Sequence, residues 1–361
     1  MGLKYEPRRG LSIPTVTILD KDGKVIESQQ RKVFRHNAQQ GFGADIIFGV
    51  GTTGEYNRIN NSERQRLMLI EIDEVANINR ENTDNDKPAV EAWVGVTAES
   101  RKDTLANIEC ALDAGADAAV IAPLSIADAN DIQDFFQRQI SDLFDHKGRA
   151  LPVFLYDNAD IAHDPRLAHI RTRDVKKLSR LPFISGVKVS ASRKVLGNYT
   201  KGALHFKDKG EFGIYIGNAM LMFQVFNLED GFVGLVREYW NRYLLRNELP
   251  VGVVSGPANV MPREWQRAWR ASFTGDERLM RIYKEAFDAF GAACKFGNTE
   301  KMLASLKYAL KLDGVIESDF VAAGTPALND NERKAFAEKY AKIKEKLATQ
   351  TDALWISSIP L

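Results

Sequence analysis

The chain has 361 residues, 44% of them hydrophobic, and its 49 basic and 48 acidic side chains leave a net charge of +1. That is apolar sequence enough for one large core with an appendage, and too balanced a charge to favour nucleic acid or a membrane surface. Two cysteines, Cys110 and Cys294, are too few for a disulfide framework and, with no signal peptide and no bilayer-length apolar run, lead us to expect a cytoplasmic protein.

Residues 1–10 read as an N-terminal arm. Eight short apolar runs follow: Leu11–Leu19, Ala44–Val50, Ala89–Val96, Asp117–Pro123, Leu151–Tyr156, Phe183–Val189, Phe212–Gly217 and Pro250–Ser255. Helical patterns lie between them, clearest at Ser62–Ile78, Arg101–Ala114, Ile132–Phe144, Arg166–Leu178 and Ala219–Leu245. Ser62-Glu63-Arg64-Gln65 reads as a capping box. Eight strands alternating with helices predict an α/β fold, a (β/α)8 TIM barrel over 11–262. A doubly wound sheet is disfavoured because no Gly-x-Gly-x-x-Gly follows the first strand. From Pro262 onward the pattern is helices only, which predicts a C-terminal all-helical domain over 263–349 with its last helix at Asn331–Ala348. One face there carries Leu279, Tyr283, Ala286, Phe287 and Phe290, another Met302, Leu303, Leu306, Ala309 and Leu310. The tail at 350–361, with Leu354-Trp355-Ile356 and Ile359-Pro360-Leu361, is apolar enough to dock on the barrel or on a neighbouring subunit.

Barrels of this kind carry their chemistry at the C-terminal ends of the strands. In Phe183–Ser190, Lys188 shares a strand face with Gly186 and Ser190, and Gly186 leaves room beside the ammonium. Burial lowers a lysine's pKa. At the ordinary value of about 10.4, only about one lysine in a thousand is a free amine at neutral pH. A depressed strand lysine suits imine chemistry on a carbonyl; a strand-end lysine with its head in water fits the same residues. Gly51-Thr52-Thr53-Gly54 can aim backbone amides and two hydroxyls at one anion, or be a plain strand-to-helix turn. Tyr156 shares a face with Phe154, as a core residue would.

Gly51-Thr52-Thr53-Gly54-Glu55, Leu155-Tyr156-Asp157-Asn158 and Gly186-Val187-Lys188 resemble, in order, three signatures of the dihydrodipicolinate synthase and N-acetylneuraminate lyase superfamily. Gly252-Val253-Val254-Ser255 with Ala258-Asn259 resembles a fourth. The resemblance implies a class I aldolase, often a homo-oligomer (dimer or tetramer), acting on pyruvate or longer 2-oxo acids without metal or organic cofactor. It implies that Lys188 forms the imine and that Tyr156 is the general acid/base. It further implies that Thr52 and Thr53 hold the substrate carboxylate, with Thr52 also relaying protons to Tyr156. Gly51, Asn218 and Ser255 complete the substrate contacts it implies.

Three departures bear on substrate. Ile161 stands where the lysine-biosynthesis synthases carry an arginine for the second substrate's carboxylate, which argues against that activity. Leu124-Ser125 replaces the relay tyrosine of the loop after strand four, and Asn218-Ala219 lacks the acidic residues with which sialic acid lyases hold a sugar tail. The stretch between Gly217 and Gly252 is long, with an extra helix expected at Val233–Leu245 and an aromatic cluster at Tyr239, Trp240 and Tyr243 that packs it or lines the pocket. The expected function is a Schiff-base lyase joining or splitting pyruvate and an aldehyde, on a 2-keto-3-deoxy sugar acid or similar 4-hydroxy-2-oxo acid. A dehydratase on the same imine and a non-catalytic 2-oxo acid-binding barrel are the alternatives.

Overall fold

The structure, a computed structural model, describes residues 5–129, 131–206, 211–226, 250–274 and 276–355. Eight parallel strands close on themselves: β1 (Gly10–Pro14), β2 (Ile46–Gly49), β3 (Glu91–Gly95), β4 (Ala118–Ile121), β5 (Val153–Asn158), β6 (Ile184–Ser190), β7 (Gly213–Ile216) and β8 (Gly252–Val254). Closure is made by β8 beside β1, with Gly10, Leu11 and Ser12 opposite Gly252, Val253 and Val254. Each strand is buried on both faces, as parallel strands under crossover helices must be. Alternate residues separate the two packing layers. Ile46, Phe48, Trp93, Val120, Phe154, Tyr156, Tyr215 and Val254 fill the barrel interior, while Ile47, Val94, Ile121, Leu155, Val187 and Ile216 face the helices.

The helices α1 (Glu27–Ala38), α2 (Asn61–Thr83) and α3 (Arg101–Ala114) follow the first three strands, and a helix α4 over 132–147 follows the fourth. The middle of α4, Phe135–Ile140, is π-helical and buries Phe135, Phe136 and Ile140. Two shorter helices, α5 (Thr172–Leu178) and α6 (Arg193–Gly202), flank β6.

Several sequence expectations need correction. The first run pairs as a strand only to Pro14; Leu19 meets Val25 and Phe320 through isolated bridges. The cap of α2 is Asn60, whose Oδ1 accepts from the Glu63 amide at 2.9 Å. Ser62 lies inside that helix and donates to Asn60, and the Glu63 carboxylate is taken by the Val25 amide at 2.8 Å. The pattern at Arg166–Leu178 becomes helical only at Thr172. Upstream, the buried Asp157 accepts from the Ile170 amide at 2.9 Å and holds His169 at 3.0 Å, fixing 166–170 as loop. Of Ala219–Leu245, the described part is a turn at Ala219–Leu221 and a short helix at Met222–Val225. Val233–Leu245, the cluster Tyr239, Trp240 and Tyr243, and the tail beyond residue 355 lie outside the described residues.

The C-terminal region consists of α7 (Pro262–Thr274), α8 (Glu277–Ala293), α9 (Met302–Leu312) and α10 (Asp330–Trp355). It also holds a small antiparallel hairpin, β9 (Lys295–Phe296) and β10 (Thr299–Glu300), which the helices-only expectation missed. Aromatic contacts join its layers. Trp265 stacks on Phe287 with centroids 3.9 Å apart, and Phe290 meets Phe336 and Tyr340 edge-on.

The lower end of the barrel is sealed. Trp93 stacks on Phe154 at 4.0 Å, and Tyr215 meets both rings edge-on. Glu91 accepts from the Tyr5 hydroxyl at 2.7 Å and from the Trp93 indole at 2.8 Å, while Tyr215 donates to the Arg8 carbonyl at 2.5 Å. The arm therefore plugs the barrel floor. Gly186 serves this packing: a Cβ there would come within 2.7 Å of the Phe154 ring and 2.3 Å of the Gly213 carbonyl. The space attributed to the ammonium is filled by that ring, and Lys188 sits one layer above it.

Candidate active site

Lys188 and Tyr156 are direct partners in the β5–β6 register, and both point into the barrel interior toward the C-terminal ends of the strands. Lys188 is only 5% exposed. Its Nζ lies 3.9 Å from the Tyr156 ring centroid and 4.9 Å from that of Phe48. No acidic side chain among the described residues forms an ion pair with it. Burial holds its pKa below the usual lysine range, and the Tyr156 phenol opposes the shift without reversing it.

Tyr156 experiences the reverse balance. Burial raises its pKa, but the Lys188 charge and hydrogen bonds from Ser190, Thr52 and Asn158 outweigh it, and the phenol lies below its ordinary value. Asn158 Nδ2 donates to the phenol oxygen at 3.0 Å, Thr52 Oγ1 lies 3.3 Å from it and Ser190 Oγ 3.4 Å. Three donors around one oxygen favour its charged form. Gly217 makes one of these contacts possible, since a Cβ there would come within 2.2 Å of Ser190 Oγ.

The turn after β2 is tightly wound. The Gly54 and Glu55 amides donate to the Gly51 and Thr52 carbonyls at 3.0 Å each, and Thr17 Oγ1 donates to the Gly54 carbonyl at 2.7 Å. The Thr52 and Thr53 amides donate to no acceptor among the described residues. Val50 and Glu55, at either end, hold left-handed φ values of 55° and 57°. Neither is glycine, and each such residue costs about 1–3 kcal/mol. A β-branched residue there is a clear outlier.

Other expected site residues are placed differently. Thr53 is half-buried and faces Gly256, where a Cβ would lie 3.5 Å from Thr53 Oγ1. Ser255 is fully buried, and its Oγ has no partner among the described residues and no bond to the phenol or the threonines. Asn218 is exposed at the end of β7, with no side-chain bond into the cluster. Two members were not singled out from sequence, Ser190 and Asn158. Each stands two residues beyond a predicted site residue on its strand, so strand alternation was the available signal. Ile161, at the departure after strand five, packs its side chain on the interior cluster. Tyr56, just past the threonine turn, is also buried. Burial raises its phenol, Ser125 counters this, and the Tyr156 phenol adds to the rise. Among the described residues no group of three or more His, Cys, Asp or Glu could hold a metal ion. No helix among them is long and apolar enough to cross a membrane.

The profile of the Dihydrodipicolinate synthetase family matches residues 7–239. The chain belongs to that family. It is an aldolase-type lyase, as other members of the dihydrodipicolinate synthetase family are. The 4-hydroxy-tetrahydrodipicolinate synthase of Methanothermobacter thermautotrophicus is 24% identical over 330 residues, 88% of this chain and 97% of that one. Dihydrodipicolinate synthase from Bacteroides thetaiotaomicron shares the fold with a TM-score of 0.72 at 21% identity, over 94% of this chain and 99% of its own. A catalytic lysine mutant of the Ruminococcus gnavus sialic acid aldolase superposes with a TM-score of 0.73 at 15% identity, over 94% and 97%. Both structural likenesses cover more of the chain than the span that the family profile matches.

Proposed function

We propose that the protein is a Schiff-base lyase that splits or makes the C–C bond between pyruvate and an aldehyde, acting on a 2-keto-3-deoxy sugar acid or similar 4-hydroxy-2-oxo acid. The observation that carries this reading is a buried amine with no acidic partner among the described residues, set against a phenol that itself meets a threonine hydroxyl at 3.3 Å. Lys188 Nζ, as the free amine, attacks the C2 carbonyl, and loss of water gives a protonated imine. The imine draws the C3–C4 electron pair toward nitrogen as that bond breaks, leaving an enamine. Tyr156, as phenolate, takes the proton of the C4 hydroxyl, so C4 departs as an aldehyde. Protonation of the enamine at C3 and hydrolysis of the imine release pyruvate and restore the amine. Thr52 passes protons to and from the phenol, and Thr52 and Thr53 hold the carboxylate with the amides of the Gly51 turn; Ser255 and Asn218 are the remaining substrate contacts of this reading.

Ile161 brings no positive charge to the position from which a second carboxylate would be held, which favours a neutral aldehyde over a synthase reaction with a charged partner. The reading carries no metal and no organic cofactor, and the assembly that goes with it is a cytoplasmic homo-oligomer of two or four copies. Release of pyruvate from a 2-keto-3-deoxy sugar acid, followed with lactate dehydrogenase and NADH, tests it. Pyruvate formed in step with substrate consumed supports the lyase. Substrate consumed with water lost and no pyruvate assigns a dehydratase, and imine formation without turnover of any such acid assigns a binding barrel.

A further inference from the structure

A second buried lysine stands behind the threonine turn. Lys307 on α9 is 0% exposed, and its Nζ lies 2.5 Å from Oε2 of Glu55, the last residue of Gly51-Thr52-Thr53-Gly54-Glu55. Lys307 also donates to the Phe320 carbonyl at 2.7 Å. The other carboxylate oxygen, Oε1, accepts from the Ala322 amide at 2.8 Å and Thr325 Oγ1 at 2.6 Å. Among the described residues, every hydrogen bond to this carboxylate thus comes from 307–325, in the C-terminal region.

Burying two charges is a costly way to gain stability, since well-packed apolar residues do as well or better. Their geometry gives another use. The turn carries left-handed Val50 and Glu55, and such backbone persists only where its surroundings over-determine it. The Glu55 amide donates to the Thr52 carbonyl at 3.0 Å, so whatever fixes Glu55 fixes Thr52.

We propose that Lys307 is a positioning residue: through Glu55 it holds Thr52 and Thr53 in register with Lys188, and so sets the affinity for the substrate's carboxylate. This rests on the proposed carboxylate role of the two threonines. The test is half-saturation of borohydride trapping with two probes, pyruvate and methyl pyruvate, whose ester carries no charge. Lys307→Met is expected to raise the pyruvate value by about 10- to 100-fold, as small misplacements in a site do, and to leave the methyl pyruvate value unchanged. Thr325→Val keeps the ion pair, removes one bond to the same carboxylate, and is expected to raise the pyruvate value alone by about 5-fold. Should Lys307→Met fail to fold, Thr325→Val decides the matter with the same probes. Equal shifts for both probes, or no shift, overturn the proposal while wild-type trapping stands. A wild-type protein that traps neither probe removes the imine reading as well.

Discussion

The two ends of the barrel interior use the same kind of residue for opposite ends. Tyr156 and Tyr215 stand on the strands either side of Lys188, both in register with it and both buried in one cluster. Tyr215 points to the floor, donates to the Arg8 carbonyl, and burial pushes its phenol well above the ordinary value. Tyr156 points to the mouth, where a cation and three polar side chains bring its phenol down despite the same burial. Burial alone thus makes a phenol inert. Converging polar groups around it, in the same apolar cylinder, make it a candidate acid and base.

Exchanging the two hydroxyls gives the largest expected contrast. Tyr156→Phe should slow pyruvate release by about 10²- to 10⁴-fold. Tyr215→Phe should leave turnover unchanged and cost about 1–3 kcal/mol in urea denaturation, because the Arg8 carbonyl loses its donor. Equal losses of turnover in the two variants would break the distinction between mouth and floor.

The two buried lysines sharpen the same contrast in stability. Lys307→Met leaves the Glu55 carboxylate buried without its cation and should destabilise by about 3–5 kcal/mol. Lys188 forms no ion pair among the described residues, so Lys188→Met relieves a buried cation and should stabilise by about 1 kcal/mol. Urea denaturation at pH 7 checks both. A Lys188→Met variant less stable than wild type would mean that the amine has a partner that offsets its burial.

A smaller effect follows from pH. The Lys188 pKa is lower in the folded protein than the ordinary 10.5. Between the folded and unfolded values the unfolded chain binds the extra proton, so wild-type stability should rise with pH across that window. The same deprotonation frees the nucleophile, and imine trapping should rise with pH and level off below 10.5. Lys188→Met should lose this component of the stability rise. A trapping rate still climbing past pH 10.5 would show an unperturbed amine.

The eight strands were legible because parallel strands buried on both faces read as runs of β-branched residues. Their ends were less so: Thr15–Leu19 continues the apolar pattern of β1, yet its neighbours offer it no ladder. The α1 helix was not among the clear patterns, because its inward face includes Gln29, Gln30 and Asn37. Gln29 is buried to accept from the Glu317 and Ser318 amides at 2.8 and 2.9 Å, a partnership across the whole sequence that no local period reveals. In the site, motif and alternation together pointed to Lys188, Tyr156 and Thr52. Gly186 was misread because the ring that needs its space, Phe154, comes from another strand. Lys307 was invisible for the same reason: a lysine in an amphipathic helix reads as solvated until Glu55 is brought to it from 252 residues away.

The central claim is that Lys188 is the amine that forms the imine. Sodium borohydride reduction in the presence of pyruvate, followed by proteolysis and peptide mass spectrometry, tests it most directly. The account predicts one reduced adduct, on Lys188, lost in Lys188→Met and retained in part in Tyr156→Phe. An adduct on any other lysine, or none, would contradict it.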